Sequence, residues 1–372
     1  MRERIAADGP LDFADFMAAA LYHPNLGYYA REGRQVGCGG DFFTSVSVGP
    51  LFGDLLARRF VQWWQQAGHP QQWRLIECGA HDGTLAADVL AALRRLDPAA
   101  LAALEYAIPE PLPRLQAAQR EKLRDFGDRV RHLASPADLA SQPLPGIAFG
   151  NELLDALPCH VVEWQSDGWR LCRVACGREG GFCWETSLPV YDRALLDALA
   201  PLGTAFPPGY RNEARTGYGG LLAPLLGALS SGMLLWLDYG FARPEYYHPA
   251  RCQGTLRTFA QHRAGDDPLL DPGSVDITAH VDFTAVTEAA VALGCRPLLF
   301  RNQASWLTAV ARQWLLGMED HPNAPLLRQF QTLIHPAQLG GQFHVLELAW
   351  NDPAAPIIAA ADLNRLALDA AG

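Results

Sequence analysis

The stretch Trp73-Arg74-Leu75-Ile76-Glu77-Cys78-Gly79-Ala80-His81-Asp82-Gly83 indicates the fold of this chain of 372 residues. An apolar run ends in an acid, two glycines follow, and apolar residues then recur at helical spacing, which is typical of a strand, a tight turn and a helix. Such a turn presents backbone N–H groups and a positive dipole end to a ligand. We therefore expect a nucleotide-like cofactor here. The expected binding residues of this turn are Glu77, Gly79, His81 and Gly83.

Composition and charge narrow the class of protein. The chain is 49% hydrophobic and long enough to bury a large core, as one elaborated domain or two close ones. A net charge of −10 without a basic stripe argues against a nucleic-acid partner. No apolar run approaches about 18 residues and no signal-peptide pattern begins the chain, from which we expect no membrane partner and a cytoplasmic location. The eight cysteines form neither C-x-x-C pairs nor a Cys/His block, so no metal site is expected.

The patterns divide the chain into four parts. We predict an N-terminal helical and cofactor-covering segment at 1–70, a first part of an α/β core at 71–158, an antiparallel insertion that is a candidate for substrate recognition at 159–216, and the remainder of the core at 217–372. The alternation of strands and helices over residues 73–158 predicts a parallel sheet covered on both faces. Apolar spacing predicts single helices over 11–21 and 303–316.

Polar residues follow the predicted strands at their carboxyl ends. Glu77 ends the first strand, Glu110 follows the second, Asn151 and Glu152 follow the fourth, and Asp238 ends the fifth. In open α/β sheets, ligands bind outside the carboxyl ends of the strands, near the point where strand order reverses. We therefore expect these residues at one edge of the sheet, with the Glu110 carboxylate accepting hydrogen bonds from ribose hydroxyls.

Taken together, the motifs resemble those of class I S-adenosylmethionine-dependent methyltransferases, and more narrowly the MidA-like family, which includes a mitochondrial complex I assembly methyltransferase. The resemblance spans nearly the whole chain. It rests on residues 27–29, 40–45, ECGAHDGTLAADVL (77–90), EPLPRL (110–115), NELLDALP (151–158), LDYG (237–240), GTLR (254–257) with His262, and DPGSVDITAHVDF (271–283).

This resemblance implies a Rossmann-like sheet of seven strands with helices on both faces and S-adenosylmethionine (AdoMet) as the cofactor. It also implies methylation of an arginine nitrogen on a protein substrate, which in the mitochondrial member is a subunit of a respiratory complex. Residues before the sheet are then expected to fold over the cofactor, because aromatic rings attract a sulfonium cation. Those residues are Gly40, Asp41, Phe42 and Thr44.

One departure from the family pattern concerns His81. Related chains generally carry glycine at this position, and a β-carbon narrows the approach to the amino-acid end of AdoMet. Two interpretations are open: the His81 side chain caps the following helix, or its imidazole contacts the cofactor.

An arginine substrate requires acids, because its guanidinium is always protonated and must be gripped and oriented. The candidates for catalysis are Asn151, Glu152 and Asp155, and Asn151 is also a candidate ligand of the cofactor. Asp155 would share a face with Glu152 if the chain turned helical there. The alternative is that Asn151 and Asp155 are ordinary turn and cap residues.

Two other functions remain open at the level of sequence. A non-catalytic AdoMet-binding assembly factor would keep the same cofactor residues. An NAD(P)-dependent oxidoreductase is disfavoured, because the first motif reads G-x-x-x-G in place of the dinucleotide pattern G-x-G-x-x-G.

Overall fold

The computed structural model describes residues 1–31, 44–178, 180–260, 263–320 and 322–368. The expected contributions of Gly40, Asp41, Phe42 and His262 lie outside these described residues. None of the helices in these ranges combines the length and the apolar composition that crossing a bilayer requires.

The described strands and helices are numbered in chain order. Strands β1 to β16 are Leu11–Asp12, Trp73–Cys78, Leu104–Pro109, Val130–Leu133, Leu144–Asn151, His160–Gln165, Gly168–Cys176, Phe182–Pro189, Tyr210–Ala214, Leu229–Phe241, Arg257–Ala260, Arg263–Gly265, Asp276–Thr278, Val281–Asp282, Arg296–Asn302 and Phe343–Trp350. Helices α1 to α15 are Arg2–Asp8, Phe13–Tyr22, Leu51–Gln66, Thr84–Leu96, Pro98–Ala102, Pro113–Leu123, Arg193–Leu199, Tyr218–Gly227, Arg243–Tyr246, Phe283–Ala292, Gln303–Val310, Arg312–Asp320, Ala324–Ile334, Leu339–Gln342 and Ala360–Arg365.

The central sheet has the strand order β15-β16-β10-β5-β2-β3-β4, with the short β14 paired to the end of β10. Strands β10, β5, β2, β3 and β4 are parallel, so the predicted α/β sheet is confirmed. The predicted sheet is extended beyond residues 73–158 by β16, which runs antiparallel to both of its neighbours. A strand buried on both faces reads as an apolar run in either direction, so the sequence does not reveal this reversal.

Helices cover both faces of this sheet. Leu75 of β2 packs into a cluster with residues of α3, α4, α11 and α13, whereas the next residue, Ile76, packs into a second cluster with residues of α8 and α10. Every residue of β2 is buried, as expected for a central strand with apolar layers on either side. The strand order reverses beside β2, since β3 and β4 lie on one side of it and β5 on the other.

A separate antiparallel sheet contains β6, β7, β8 and β9, with the two-residue β1 at its edge. The helix predicted over 11–21 is α2. It begins at Phe13, two residues later than predicted, because Leu11 pairs with Val174 of β7. Phe13 and Phe16 of α2 pack against Val161 and Val174 of this sheet. The N-terminal segment is thereby attached to the segment at 159–216.

Two further features differ from the sequence-based prediction. Strands β11, β12 and β13 form a small sheet that the sequence pattern does not reveal, because strands of three or four residues carry little periodicity. The helix predicted over 303–316 is two helices, α11 and α12, separated at Ala311. Leu307, Ala311 and Trp314 are all buried, so apolar spacing continues across the break.

Candidate active site

A cavity of about 660 Å³ lies at the carboxyl ends of the parallel strands, where the strand order reverses between β2 and β5. This is the position at which open α/β sheets bind their ligands. Its described lining residues are Tyr22, Pro24, Tyr29, Ala30, Thr44, Val46, Ser47, Glu77, Cys78, Gly79, Ala80, His81, Asp82, Thr84, Leu85, Pro109, Glu110, Pro111, Leu112, Leu115, Ala134, Pro136, Asn151, Glu152, Leu153, Ala156, Leu221 and Asp276.

The turn after β2 has left-handed backbone conformations at Gly79, His81 and Gly83, with φ of 74°, 46° and 83°. At Gly79 a β-carbon would also lie 3.1 Å from Cδ1 of Leu153, so both conformation and space favour glycine. Gly79 and His81 line the cavity, whereas Gly83 precedes α4 and faces Gln119. Residues 79–82 of the turn therefore line the cavity, whereas Gly83 is not among its described lining residues.

The interpretation of His81 as a helix cap is wrong. The N-cap residue of α4 is Gly83, and the side chain that binds the first turn is that of Asp82: its Oδ1 accepts hydrogen bonds from the backbone N–H of Thr84 at 3.0 Å and from the Thr84 hydroxyl at 2.7 Å. The carbonyl of His81 accepts a hydrogen bond from Nε2 of Gln119 at 2.8 Å, which fixes the backbone of the turn. The imidazole lies on the cavity wall, so its contact with the cofactor stays a prediction.

Glu77 lies beneath this turn at the end of β2. It is buried, and the hydroxyl of Tyr106 donates a hydrogen bond to its Oε2 at 2.5 Å. Burial raises the pKa of Glu77 to about 7, although the hydrogen bond opposes that rise. A cation in the cavity would favour the ionised form of this carboxyl group.

Glu110 follows β3 on the same edge of the sheet. The backbone N–H of Leu112 donates to its Oε1 at 2.8 Å, and Nε2 of Gln119 lies 3.5 Å from its Oε2. Burial raises the pKa of this carboxyl group above its ordinary value. The two contacts fix the orientation of the Glu110 carboxylate at the cavity wall.

Asn151 and Glu152 lie at the end of β5, on the opposite side of β2. Glu152 has a φ of 52°, an uncommon conformation for a residue with a side chain. Its Oε1 accepts hydrogen bonds from Nδ2 of Asn151 at 2.9 Å and from the backbone N–H of Ser45 at 3.3 Å. Burial, reinforced by the charge of Asp155, raises the pKa of Glu152 to about 8. Oδ1 of Asn151 is buried without a hydrogen-bond partner among the described residues.

The chain does not turn helical after β5, so Asp155 does not share a helical face with Glu152, and of the two interpretations the turn is the one that the backbone matches. The carboxylate of Asp238 accepts the backbone N–H groups of residues 153–155 at 2.8 to 3.2 Å, which holds the segment as a turn. Asp155 is buried, accepts a hydrogen bond from the Tyr239 hydroxyl, and is not among the described lining residues of the cavity. Asp238 thus positions the turn that presents Glu152.

Arg215 is a buried residue that the sequence analysis did not select. Its guanidinium donates to the carbonyl oxygens of Asp155, Leu157, Ala279 and His280 at 2.7 to 3.0 Å. It therefore joins the turn after β5 to the segment before β14. No motif marks this arginine, because backbone carbonyls leave no trace in the sequence.

The remaining wall of the cavity comes from the N-terminal segment and from β13. Tyr22 and Tyr29 stack with ring centroids 5.5 Å apart, and the Tyr22 hydroxyl donates to the carbonyl of Ala156 at 2.8 Å. The Tyr29 hydroxyl donates to Oδ1 of the buried Asp276 at 3.1 Å. Tyr29 and Asp276 fall within motifs of the family resemblance, but their sequence positions do not predict their proximity.

The described lining residues of the cavity are acidic. Five of its described lining residues carry carboxyl groups, namely Glu77, Asp82, Glu110, Glu152 and Asp276, and none is a lysine or an arginine. A pyrophosphate would have no cationic side chain among these residues, whereas a positively charged ligand would meet carboxylates.

Comparison with known families identifies the class of protein. The model of the S-adenosyl-L-methionine-dependent methyltransferase family matches residues 55–301, which include the turn after β2, Glu110 and the turn after β5. The chain belongs to this family. AdoMet is the cofactor of this methyltransferase, and the oxidoreductase alternative is thereby excluded.

Solved structures support the same assignment. The methyltransferase is 32% identical to a protein from Burkholderia thailandensis whose crystal structure contains S-adenosyl-homocysteine, with a TM-score of 0.80 over 94% of this chain and 90% of that one. A native structure from Burkholderia thailandensis gives 32% identity and a TM-score of 0.81 over 96% and 93% of the two chains. The predicted methyltransferase fold is therefore confirmed.

Curated relatives carry more specific names. The methyltransferase is 28% identical to the protein arginine methyltransferase NDUFAF7 homolog, mitochondrial, of Drosophila melanogaster, over 94% of this chain and 83% of the relative. It is 25% identical to protein arginine methyltransferase NDUFAF7, mitochondrial, of Homo sapiens, over 93% and 81%. These relatives are mitochondrial by name, so the expected cytoplasmic location is wrong. That expectation rested on missing export signals, which do not distinguish one compartment from another.

Proposed function

We propose that this methyltransferase transfers the methyl group of AdoMet to a guanidinium nitrogen of an arginine in a protein substrate. The observation that carries the proposal is the acidic cavity, with carboxyl-bearing side chains and no lysine or arginine among its described lining residues. A guanidinium is cationic at all physiological pH values, so carboxylates favour it over neutral nucleophiles. The names of the curated relatives support the same substrate class.

The cofactor residues predicted from the sequence fit AdoMet by their chemistry. Glu110 is proposed to accept hydrogen bonds from the ribose diol, because its carboxylate lies on the cavity wall and is held there by the backbone N–H of Leu112. The left-handed backbone at Gly79 and His81 leaves room for the amino-acid end, and Oδ1 of Asn151 offers an acceptor for its ammonium group. Glu77 and Thr44 complete this group of described residues. When bound, AdoMet supplies an electrophilic methyl group on a sulfonium.

Glu152 is proposed to bind the substrate guanidinium. The hydrogen bonds that its carboxylate accepts from described residues both go to Oε1, so Oε2 is available to an N–H of the substrate. With a pKa of about 8, much of this group is protonated at neutral pH. A neighbouring guanidinium favours the ionised carboxylate, because opposite charges attract strongly in a buried site. The ionised group then orients the nitrogen for attack.

The positions of Asp155 and of the segment at 159–216 limit the roles that we propose for them. Asp155 is proposed to act through the turn that carries Glu152, because its own carboxyl group is covered by Tyr239. The segment at 159–216 contributes no described lining residue to the cavity, so substrate recognition by it concerns parts of a protein substrate outside the cavity. A respiratory-complex subunit as that protein is also a proposal.

Isotope transfer tests the reaction. The purified chain, AdoMet with a deuterated methyl group, and an extract of cells lacking the chain are combined, and labelled residues are identified by mass spectrometry. We expect labelled methylarginine with the parent protein and little with Glu152→Gln. The labelled protein identifies the substrate. Label on lysine or on a carboxyl group would contradict the arginine assignment, and folded, AdoMet-bound protein that transfers no label would favour the non-catalytic assembly factor.

A further inference from the structure

We propose that Gln303 is a positioning residue for Glu152 and that it acts through Ser45. This inference rests on the substrate-binding role proposed for Glu152 and deepens it. The backbone N–H of Ser45 donates to Oε1 of Glu152 at 3.3 Å, and the Ser45 hydroxyl donates to Oε1 of Gln303 at 3.2 Å. Nε2 of Gln303 donates to the carbonyl of Leu333 at 3.0 Å. Three hydrogen bonds thus connect the Glu152 carboxylate to the end of α13.

The partners of Gln303 fix the direction of these hydrogen bonds. The carbonyl of Leu333 belongs to the last turn of α13, where carbonyl oxygens lack partners within the helix and can only accept. The amide nitrogen of Gln303 must therefore face Leu333, and its oxygen must face Ser45. The hydroxyl of Ser45 is not needed by its own turn, because Oγ1 of Thr44 accepts the backbone N–H of Ser47. The Ser45 hydroxyl is thus used to bind Gln303.

Burial makes this arrangement rigid. Ser45 and Gln303 are both 0% exposed, and neither is among the described lining residues of the cavity. A buried amide is costly unless both of its ends are hydrogen-bonded, so the side chain of Gln303 is held in one orientation. Gln303 also begins α11, directly after Asn302, whose side chain caps the helix by accepting the backbone N–H of Ser305. A fixed helix start therefore supports Ser45 from outside the cavity.

The consequence for Glu152 concerns both its orientation and its ionisation. Ser45 and Asn151 both donate to Oε1, which restricts rotation of the carboxylate and gives Oε2 one direction. The bond from Ser45 is long at 3.3 Å, so its strength depends on how firmly Ser45 is held. An N–H donor also favours the ionised carboxylate. Removal of the support from Gln303 should therefore leave Glu152 less well oriented and harder to ionise.

The first measurement follows the ionisation of Glu152 directly. Protein with carbon-13 in its glutamate side chains is titrated by NMR with S-adenosyl-homocysteine present, and the Glu152 signal is the one that Glu152→Gln lacks. Gln303→Met keeps the length of the side chain and loses both hydrogen bonds, so we expect a titration midpoint roughly 0.5 to 1 pH unit higher than in the parent. The other charges that interact with Glu152 are unchanged in this variant, namely those of Asp155, Asp238 and Asp276.

The second measurement is the isotope-transfer assay at saturating AdoMet, with the extract of cells lacking the chain as the substrate. We expect Gln303→Met to make methylarginine roughly 3- to 10-fold more slowly at neutral pH, because less of Glu152 is ionised and its carboxylate is less well oriented. Part of this loss should be recovered at higher pH, where Glu152 is ionised in both proteins. Affinity for S-adenosyl-homocysteine should change less than about threefold.

Gln329→Met is the matched control. Gln329 also lies on α13, and its Oε1 accepts the backbone N–H of Leu51 at 3.1 Å, so it attaches the same N-terminal segment to the same helix. It is not part of the chain of hydrogen bonds that reaches Glu152. We therefore expect Gln329→Met to titrate as the parent does, whereas a merely structural role of Gln303 predicts the same result for both variants.

Ser45→Ala removes only the hydroxyl group and tests the same chain from its other end. Its Glu152 titration should move in the same direction as that of Gln303→Met, because the Ser45 backbone loses the same support. This variant decides the question if Gln303→Met does not fold.

The possible outcomes separate this inference from the proposed function. A parent-like titration of Glu152 in Gln303→Met and Ser45→Ala would overturn the role of Gln303, even if the parent makes methylarginine. An equal shift in Gln329→Met would also overturn it, because attachment of the N-terminal segment would then explain the effect. A parent protein that makes no methylarginine would overturn the proposed reaction, and the titration would still decide whether Gln303 positions Glu152.

Discussion

At the scale of single residues, the turn after β2 places His81 in a left-handed conformation with a φ of 46°. A side chain in this conformation costs about 1 to 2 kcal/mol, because its β-carbon approaches the following carbonyl. The side chain of Gln119 already holds the backbone of this turn, because its Nε2 donates a hydrogen bond to the His81 carbonyl. The imidazole is therefore not required for the shape of the turn.

We expect His81→Gly to raise the free energy of unfolding by about 0.5 to 1 kcal/mol, since relief of the left-handed conformation exceeds the added entropy of the unfolded chain. AdoMet affinity should stay within about threefold of the parent value. Urea unfolding and calorimetry measure the two quantities. A large loss of AdoMet affinity would instead assign the imidazole a direct contact with the cofactor.

Glu110 is expected to hold the ribose diol. Glu110→Ala removes a charged acceptor, and AdoMet should bind about 1.5 to 3 kcal/mol more weakly. Calorimetric titration measures this, with Glu121→Ala on the exposed surface of α6 as a control, since its side chain is 74% exposed. Parent-like affinity in Glu110→Ala would show that the end of β3 does not bind the cofactor.

Glu152→Gln should affect methyl transfer much more than AdoMet binding. The amide keeps size and hydrogen-bonding capacity but loses the charge that steadies the substrate cation, so AdoMet affinity should change little while methyl transfer falls sharply. Single-turnover rates and AdoMet dissociation constants on the same variant decide this. Weak AdoMet binding with turnover restored at saturating AdoMet would make Glu152 a ligand of the cofactor ammonium instead.

At the scale of elements, sequence patterns predicted the strands and helices around the cofactor well. The strand and the helix predicted on either side of the glycine turn match β2 and α4, because the turn residues Gly79 and Gly83 separate a buried apolar run from the helical spacing that follows it. Glu77, Glu110 and Glu152, which lie at the carboxyl ends of parallel strands, line one cavity at the same edge of the sheet, as the parallel topology requires.

The unpredicted part of the site comes from contacts between distant segments. Asp276 belongs to a three-residue strand, and Arg215 acts on backbone carbonyls. Local periodicity contains no information about either arrangement, because tertiary packing determines both.

Arg215 is the residue that should matter most for holding the elements of the site together. Arg215→Lys leaves a buried ammonium that cannot reach all four carbonyls, and the free energy of unfolding should fall by about 3 to 5 kcal/mol. Urea unfolding measures this. Arg193→Lys, at a side chain that is 87% exposed, is the matched control and should change stability by less than about 0.5 kcal/mol.

At the scale of the whole molecule, buried acids in the cofactor-free protein make stability depend on pH. The pKa of Glu77 is raised to about 7, so the folded state keeps a proton that the unfolded state releases near its ordinary value. Its contribution is fully present below about pH 4.5 and is lost as the pH rises through about 7.

Glu77→Gln should therefore flatten the pH dependence of unfolding. Between pH 4.5 and pH 8, the free energy of unfolding should fall by up to about 3 kcal/mol less in the variant than in the parent, because one pKa unit corresponds to about 1.4 kcal/mol. Urea unfolding without AdoMet at several pH values measures the difference. An identical pH profile in variant and parent would show that Glu77 ionises normally.

The hydrogen bond from Tyr29 to Asp276 joins residues 247 positions apart. During synthesis at about 5 to 20 residues per second, the tyrosine leaves the ribosome roughly 12 to 50 s before its partner. The cofactor turn and Glu152 emerge in between. The wall of the cavity is therefore complete only after the segment carrying β13 has been translated, long after the cofactor turn has left the ribosome.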